Sequence, residues 1–522
     1  IESNTELEKY WKAVRDNPLD FTGWTYLLQY VEQEKKVDSA RQAYEEFFTH
    51  YPYCYGYWKK YADMERRHMG ADRALEIFEK GVKSISQSVE LWQHYINFYI
   101  TEFGKAEDGG EEGIRNLYER AVGSCGMEFR SDKLWDAFIA WEKDPIRVTA
   151  LYDRILSIPT QLYSHHFDNF KHHVFVHHPK EILPLDEFLR LRQEIVAKAT
   201  TPGDEDDTGA DEAPPGGTGP PGEEVPPGME AEGTKFDENE AMRLREKIIS
   251  LREEMFKKTE EEVSKRWNFE EGIKRPYFHV KPLERSQLKN WRDYLDFEIQ
   301  NGSHERVVCL FERCMIATAL YEDFWMKYAK YMEDHSLDAV RSVYMRACKI
   351  HLPKKPYIHL AWAAFEERQG HRETAMDILN NLEKAVPGLV MVSMRRISLE
   401  RRSGNSGEAE SLFQQYIQEA TQPSVASFFS IKYARYLLKI VGDIERARAV
   451  LDSAIDQDKG NIRLYLQMLD LEYQCRPISE DRVVSPLLQA AGILKESYDE
   501  HQKLMKELHA ERKKRPLDSG AQ

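Results

Sequence analysis

Six of the 17 histidines fall in one short run: His165, His166, His172, His173, His177 and His178. On a helix His173 and His177 share a face and His166 lies two turns before His173, a spacing that could bind zinc. No cysteine or carboxylate accompanies them at ligand spacing, so a solvated or partner-facing helix is the default reading and no metal is expected. A literal G-x-G-x-x-G occurs at Gly217, Gly219 and Gly222. It sits in a Pro/Gly-rich stretch with no strand before it and no helix opening on it, the context that phosphate binding requires. The P-loop, zincin and nucleophile-elbow patterns are absent. Catalytic residues and cofactors are therefore not expected.

Another set of residues recurs at fixed spacing. Trp24, Trp58 and Trp92 are 34 residues apart, Trp135 follows after 43, and Trp291 and Trp325 are again 34 apart, with Trp362 in a degenerate copy. Exposed rings at such positions could stack on RNA bases. Their fixed place on an apolar stripe, all but Trp24 followed by Tyr or Phe three residues on, argues instead for a repeat core. Glu65/Arg73, Glu298/Arg306 and Glu333/Arg341 are each eight residues apart across a predicted turn. Copied three times, they suggest ion pairs that clasp one helix to the next rather than a catalytic carboxylate.

The elements that carry these residues are pairs of amphipathic helices. In Trp291 to Cys314, Trp291, Tyr294 and Phe297 line one helix and Val307, Leu310, Phe311 and Cys314 the next, around a polar break at Asn301-Gly302-Ser303. Neither can bury its stripe alone, so units must stack. A period near 34 residues made of helix–turn–helix units predicts an all-α fold, an α-α superhelix or solenoid. Weaker copies continue at Ser393, Ser430 and Tyr465.

The expected layout is an N-terminal array (1–199), an acidic Pro/Gly linker (200–235) expected to be disordered, a charged connecting helix (236–273), a C-terminal array (274–494) and a terminal helix with a basic tail (495–522). Residues 201–240 hold thirteen acids and one lysine, so they carry twelve of the sixteen net negative charges. The repeats are near neutral, and no broad basic field for nucleic acid is present. Cys54, Cys125, Cys309, Cys314, Cys348 and Cys475 form no CxxC pair and read as reduced, mostly core residues of an intracellular protein. No run of 18 apolar residues exists and the mean hydropathy is −0.65, which argues against a membrane span. The chain begins Ile-Glu-Ser without Met, so it is expected to be a fragment.

The pattern resembles the HAT (half-a-TPR) repeat family, whose first helices read Trp-x-x-Tyr-x-x-aromatic-Glu and second helices Arg-x-x-Tyr-Glu-Arg-Ala. First-helix matches are Trp58-Tyr61-Met64-Glu65, Trp135-Phe138-Trp141-Glu142 and Trp291-Tyr294-Phe297-Glu298. Second-helix matches are Arg115 through Tyr118-Glu119-Arg120-Ala121 and Arg341 through Tyr344-Met345-Arg346-Ala347. The resemblance implies a nuclear, non-enzymatic scaffold of pre-mRNA splicing. It would be an auxiliary component of the small nuclear ribonucleoprotein recognising the 5′ splice site, bound to that particle's proteins, with RNA contact indirect. It also implies a homodimer through the C-terminal array. A direct RNA-binding HAT protein, or a HAT scaffold of cleavage and polyadenylation, is the alternative.

The residues themselves add one pointer to self-association. Ser485-Pro486 reads as a helix start, a serine cap followed by proline in the first turn. With Val483 and Val484 just before it, the helix would carry Leu487, Leu488, Ala491 and Leu494 on one face. A terminal repeat should expose a polar cap, so this apolar stretch needs a partner, either the preceding unit or a second chain, and these six residues are the expected dimer interface.

Overall fold

The computed structural model describes residues 2–107, 109–200 and 238–514. Among them are 25 α-helices and no strand, two of the helices continuing into a single π turn at Ala347–His351 and Leu437–Val441. The chain is an all-α stack of helical hairpins in two compact units, residues 1–331 and 332–522, parting inside the helix Glu322–Glu333.

The hairpins form where the spacing predicts them. Tyr55–Met69 turns into Ala71–Ser84 through Gly70 alone, whose φ of 96° is open to glycine and strained for other residues. Val89–Phe103 and Gly110–Cys125 are joined across the extra residues 104–109. Side-chain caps fix several starts: Ser88 accepts from the Leu91 amide, Ser303 from Arg306, and Asp443 from Arg446. Pro145, Pro356 and Pro423 occupy first-turn positions, where the missing N–H costs nothing.

Between residues 200 and 285 the structure departs from a plain array. Residues 201–237, most of the expected linker and the whole of the glycine motif, lie outside the described residues. The expected connecting helix is Glu238–Gly272, called the bridging helix below. Its first half packs on the helices Tyr163–Val176 and Leu185–Thr200 and its end on Arg285–Asn301. Phe256 stacks on Phe167 at 4.4 Å, Arg252 reaches Asp153 at 2.8 Å and Glu187 at 3.1 Å, and Thr259 donates to the Leu156 carbonyl at 2.5 Å. One helix thus packs on both the early hairpins and the one at Trp291, and all of them fall in the first unit.

The terminal helix runs without a break from Glu480 to Lys514, so Pro486 is inside it and the expected start at Ser485 is incorrect. Val483, ahead of the proline, and Ala490 are its buried positions, seven residues apart on one face, and the helix packs along Ile462–Gln474. Burial of that face holds the turn before Pro486 helical, at the loss of the one backbone bond proline cannot donate.

Candidate interaction surface

The seam between successive units is where most of the recurring polar and aromatic residues meet. At five of these seams an aromatic ring of the second helix lies flat on a ring of the next first helix. The pairs are Tyr44–Tyr61 at 4.9 Å, Phe78–Tyr95 at 5.3 Å, Tyr118–Phe138 at 4.7 Å, Phe311–Tyr328 at 4.6 Å and Phe413–Tyr433 at 5.1 Å. Stacked pairs of this kind add about 0.5–1.5 kcal/mol each beyond the area they bury. The tyrosine hydroxyl then donates backward to a glutamate: Tyr61 to Glu45 at 3.1 Å and Tyr328 to Glu312 at 2.7 Å.

The ion pairs run along the same seam. Glu65 takes two bonds from Arg41, at 2.7 and 3.2 Å, and lies 3.5 Å from Arg73. Glu142 takes two from Arg115, at 3.0 and 3.2 Å, and Glu472 two from Arg448, at 2.7 and 3.0 Å. Arg341 reaches Glu366 at 3.0 Å, while Glu333 is met by Arg368 at 2.9 Å. For Glu65, Glu142, Glu366 and Glu472 the principal partner is therefore the arginine of the preceding second helix, whereas Glu333 pairs with Arg368 of the following first helix. These carboxylates are nearly all buried, and a buried carboxylate needs such a forked donor to remain ionised.

Trp24, Trp58, Trp92, Trp135, Trp291, Trp325 and Trp362 are all buried inside the stack. Four of them close on the loop between units through the indole N–H, six residues back: Trp24 to the Pro18 carbonyl, Trp58 to Pro52 and Trp92 to Ser86 at 2.9 Å, and Trp325 to Ala319 at 2.8 Å. Trp291 and Trp362 are the seventh residues of their helices, so the carbonyl six back is already committed to the helix ladder. Their indole nitrogens have no partner.

The Arg266-x-x-Phe269-Glu270 stretch of the bridging helix repeats the second-helix signature, a signal the reading of 236–273 as a connector missed. Arg266 forks onto Glu298 at 2.5 and 3.2 Å, with Arg306 at 3.7 Å from the same carboxylate. Phe269 stacks on Tyr294 at 5.0 Å, and the Tyr294 hydroxyl donates to Glu270 at 2.7 Å. The bridging helix is thus the missing second helix of the unit before Trp291.

The histidine run is divided among structural roles. His166 is buried, 2.7 Å from Asp132 and 3.5 Å from Asp136. Burial pulls its pKa down, but the two aspartates outweigh that and hold it up at about 9. His173 is buried against Thr149 at 2.9 Å, and burial lowers it to about 4. His178 caps the short helix Pro179–Ile182. The helix expected to be solvated along this run buries two of its histidines, and no three His, Cys, Asp or Glu side chains gather as a metal set among the described residues.

The six residues expected at a dimer interface divide between two faces of the terminal helix. Val483 is turned inward, whereas Val484, Leu487, Leu488 and Leu494 are 49%, 51%, 66% and 58% exposed and Ala491 is exposed beside them. Together they form an exposed apolar stripe along the helix.

Comparison with known families matches the PRP39 N-terminal HAT repeat to residues 8–172 and the PRP39 C-terminal HAT repeat to residues 264–402. Human pre-mRNA-processing factor 39 is 52% identical over 471 residues, spanning 90% of this chain and 69% of the human protein. The chain belongs to the pre-mRNA-processing factor 39 family. The fission yeast (Schizosaccharomyces pombe) member of the family is 32% identical over 86% of this chain and 72% of its own length. The crystal structure of CstF-77 shares the fold, with a TM-score of 0.51, 12% identity, and 88% and 87% of the two chains covered.

As in other stacked-repeat folds, the second unit of this family member carries open grooves between hairpins. One of about 890 Å³ is lined by small residues such as Ala426, Ser430, Ala449 and Ser453, and another of about 810 Å³ by Arg341, His359, Trp362 and His371. No helix among the described residues is long and apolar enough to cross a membrane.

Proposed function

We propose that this chain is a non-enzymatic scaffold of pre-mRNA splicing in the nucleus. It serves as an auxiliary component of the small nuclear ribonucleoprotein that recognises the 5′ splice site. Membership of the pre-mRNA-processing factor 39 family over most of the chain carries this reading. The chemistry agrees with it: the recurring aromatics and ion pairs are consumed in packing units together, which leaves faces and grooves for partner proteins. Recovery of tagged protein from nuclear extract, with and without ribonuclease, tests it. A single small nuclear RNA with its core proteins, the proteins persisting after ribonuclease, is the expected result. Diverse messages lost with ribonuclease would make the chain a direct RNA binder, and a cleavage and polyadenylation particle would reassign the scaffold.

The scaffold acts as a two-fold dimer through its C-terminal array. The apolar stripe of the terminal helix supports this, because burying four large aliphatic side chains is worth several kcal/mol on the scale of about 1.5–3 kcal/mol each. A chain lacking residues 480–522 should scatter light as a monomer; if it stays dimeric, the dimer is built elsewhere.

A further inference from the structure

We propose that the first unit carries a receptor cleft for an arginine side chain presented by an extended segment of a partner protein. The site is a cavity of about 150 Å³ lined by Tyr55, Glu90, Glu128, Glu270, Tyr277 and Trp291, together with Arg130 and Arg313. Three observations carry the proposal.

The first is charge. Glu90, Glu128 and Glu270 face two guanidiniums, and Arg313 is already spent: it forks onto Glu270 at 2.7 and 2.9 Å and reaches Glu128 at 3.1 Å. The second guanidinium, Arg130, belongs to an exposed residue at the cavity wall. Three carboxylates against two guanidiniums leave the site short of one positive charge, and burial, with Arg313 opposing and Glu270 adding to the rise, lifts the Glu128 carboxyl to about 7.

The second is the Trp291 indole N–H. It is buried, 1% exposed, without a partner, and in the wall of this cavity. An arginine head has no acceptor to offer it, but the backbone carbonyl of a peptide does. That requirement selects an extended chain segment over a free cation. The third is the rim. Tyr55, Glu90 and Tyr277 line the same cavity, and Tyr277 is 49% exposed. Two phenol rings beside a carboxylate suit a planar guanidinium, which stacks on rings and donates in its own plane.

The proposal rests on the scaffold reading only in taking the ligand to be protein. Its test uses a synthetic probe, so failure here leaves the splicing role standing, and recovery of a different particle leaves the cleft standing. The protein is labelled with ¹⁵N at tryptophan, and the Trp291 indole resonance is assigned with Trp291→Phe. The blocked peptide Ac-Gly-Gly-Arg-Gly-Gly-NH2 should shift that resonance saturably. The citrulline peptide, equal in shape and acceptors but uncharged, should not. Glu90→Gln, at an exposed position that cannot unfold the chain, and Glu128→Gln should each weaken binding about tenfold. An unmoved Trp291 resonance at the peptide's solubility limit, equal shifts from both peptides, or a stronger shift from an oligouridylate would each overturn the assignment.

Discussion

Arg266 and Glu298 are 32 residues apart in sequence, and their side chains meet in a two-point pair with both almost fully buried. The arginine belongs to the bridging helix and the glutamate to the hairpin that begins at Arg285, so this contact fastens the helix to the later repeats of the first unit. Replacing Arg266 with alanine strands a buried carboxylate, a change that costs about 3–5 kcal/mol in comparable sites. The expected outcome is faster amide hydrogen exchange in 262–272 and 285–301, with the helices before residue 100 unaffected. Arg266→Lys should recover only part of the protection, because an ammonium cannot fork.

His166 makes stability depend on pH in a definite direction. Its folded value of about 9 lies above the ordinary 6.5, so its contribution is fully present below 6.5 and is lost as pH rises through 9. Thermal melts across that window should show His166→Gln losing less stability than the unaltered chain. The difference is on the order of 1–3 kcal/mol. Parallel curves would show that the aspartates do not hold the proton.

Glu128 acts with the same sign of slope in a lower pH window. Its carboxyl is raised from 4.5 to about 7 in the folded chain, so the folded state carries a penalty that is absent below 4.5 and complete above 7. Glu270, Arg313, Arg130, Glu90 and Cys309 surround it. Glu128→Gln keeps an acceptor for Arg313 and removes the charge. It should therefore gain stability relative to the unaltered chain as pH rises through that window, on the order of 1 kcal/mol.

Leu487 and Leu488 provide a surface test of self-association. Both are more than half exposed, so Leu487→Asp with Leu488→Asp leaves the fold of a single chain intact. Light scattering should read one chain's mass for this variant at concentrations where the unaltered protein reads two. An unchanged mass would place the interface away from the stripe.

The repeat spacing and the tryptophan core were legible because each helix writes its own apolar stripe within a dozen residues. The direction of the ion pairs was less so. Glu65 and Arg73 are close in sequence, but the nearer guanidinium belongs to Arg41, one helix earlier, and adjacency along a chain does not rank partners across a seam. The bridging helix hid its repeat character because no tryptophan-bearing first helix precedes Arg266, Phe269 and Glu270 at the usual spacing. The burial of His166 and His173 depends on Asp132 and Thr149, 34 and 24 residues away, and hydrophobic patterning carries no trace of a polar residue satisfied at that distance. At Ser485-Pro486 a local cap signal lost to the packing of Val483 and Ala490.

The helices Leu185–Thr200 and Glu238–Gly272 lie antiparallel, joined by Glu187–Arg252 at 3.1 Å and Arg192–Glu240 at 2.7 Å. Thr200 and Glu238 therefore lie at the same end of one helix pair. Closing a connection between such fixed posts costs only about 0.6 kcal/mol for each doubling of its length. That junction is a port: a reporter domain or a regulatory insert of almost any size can be spliced in there, and the register of every later hairpin is kept.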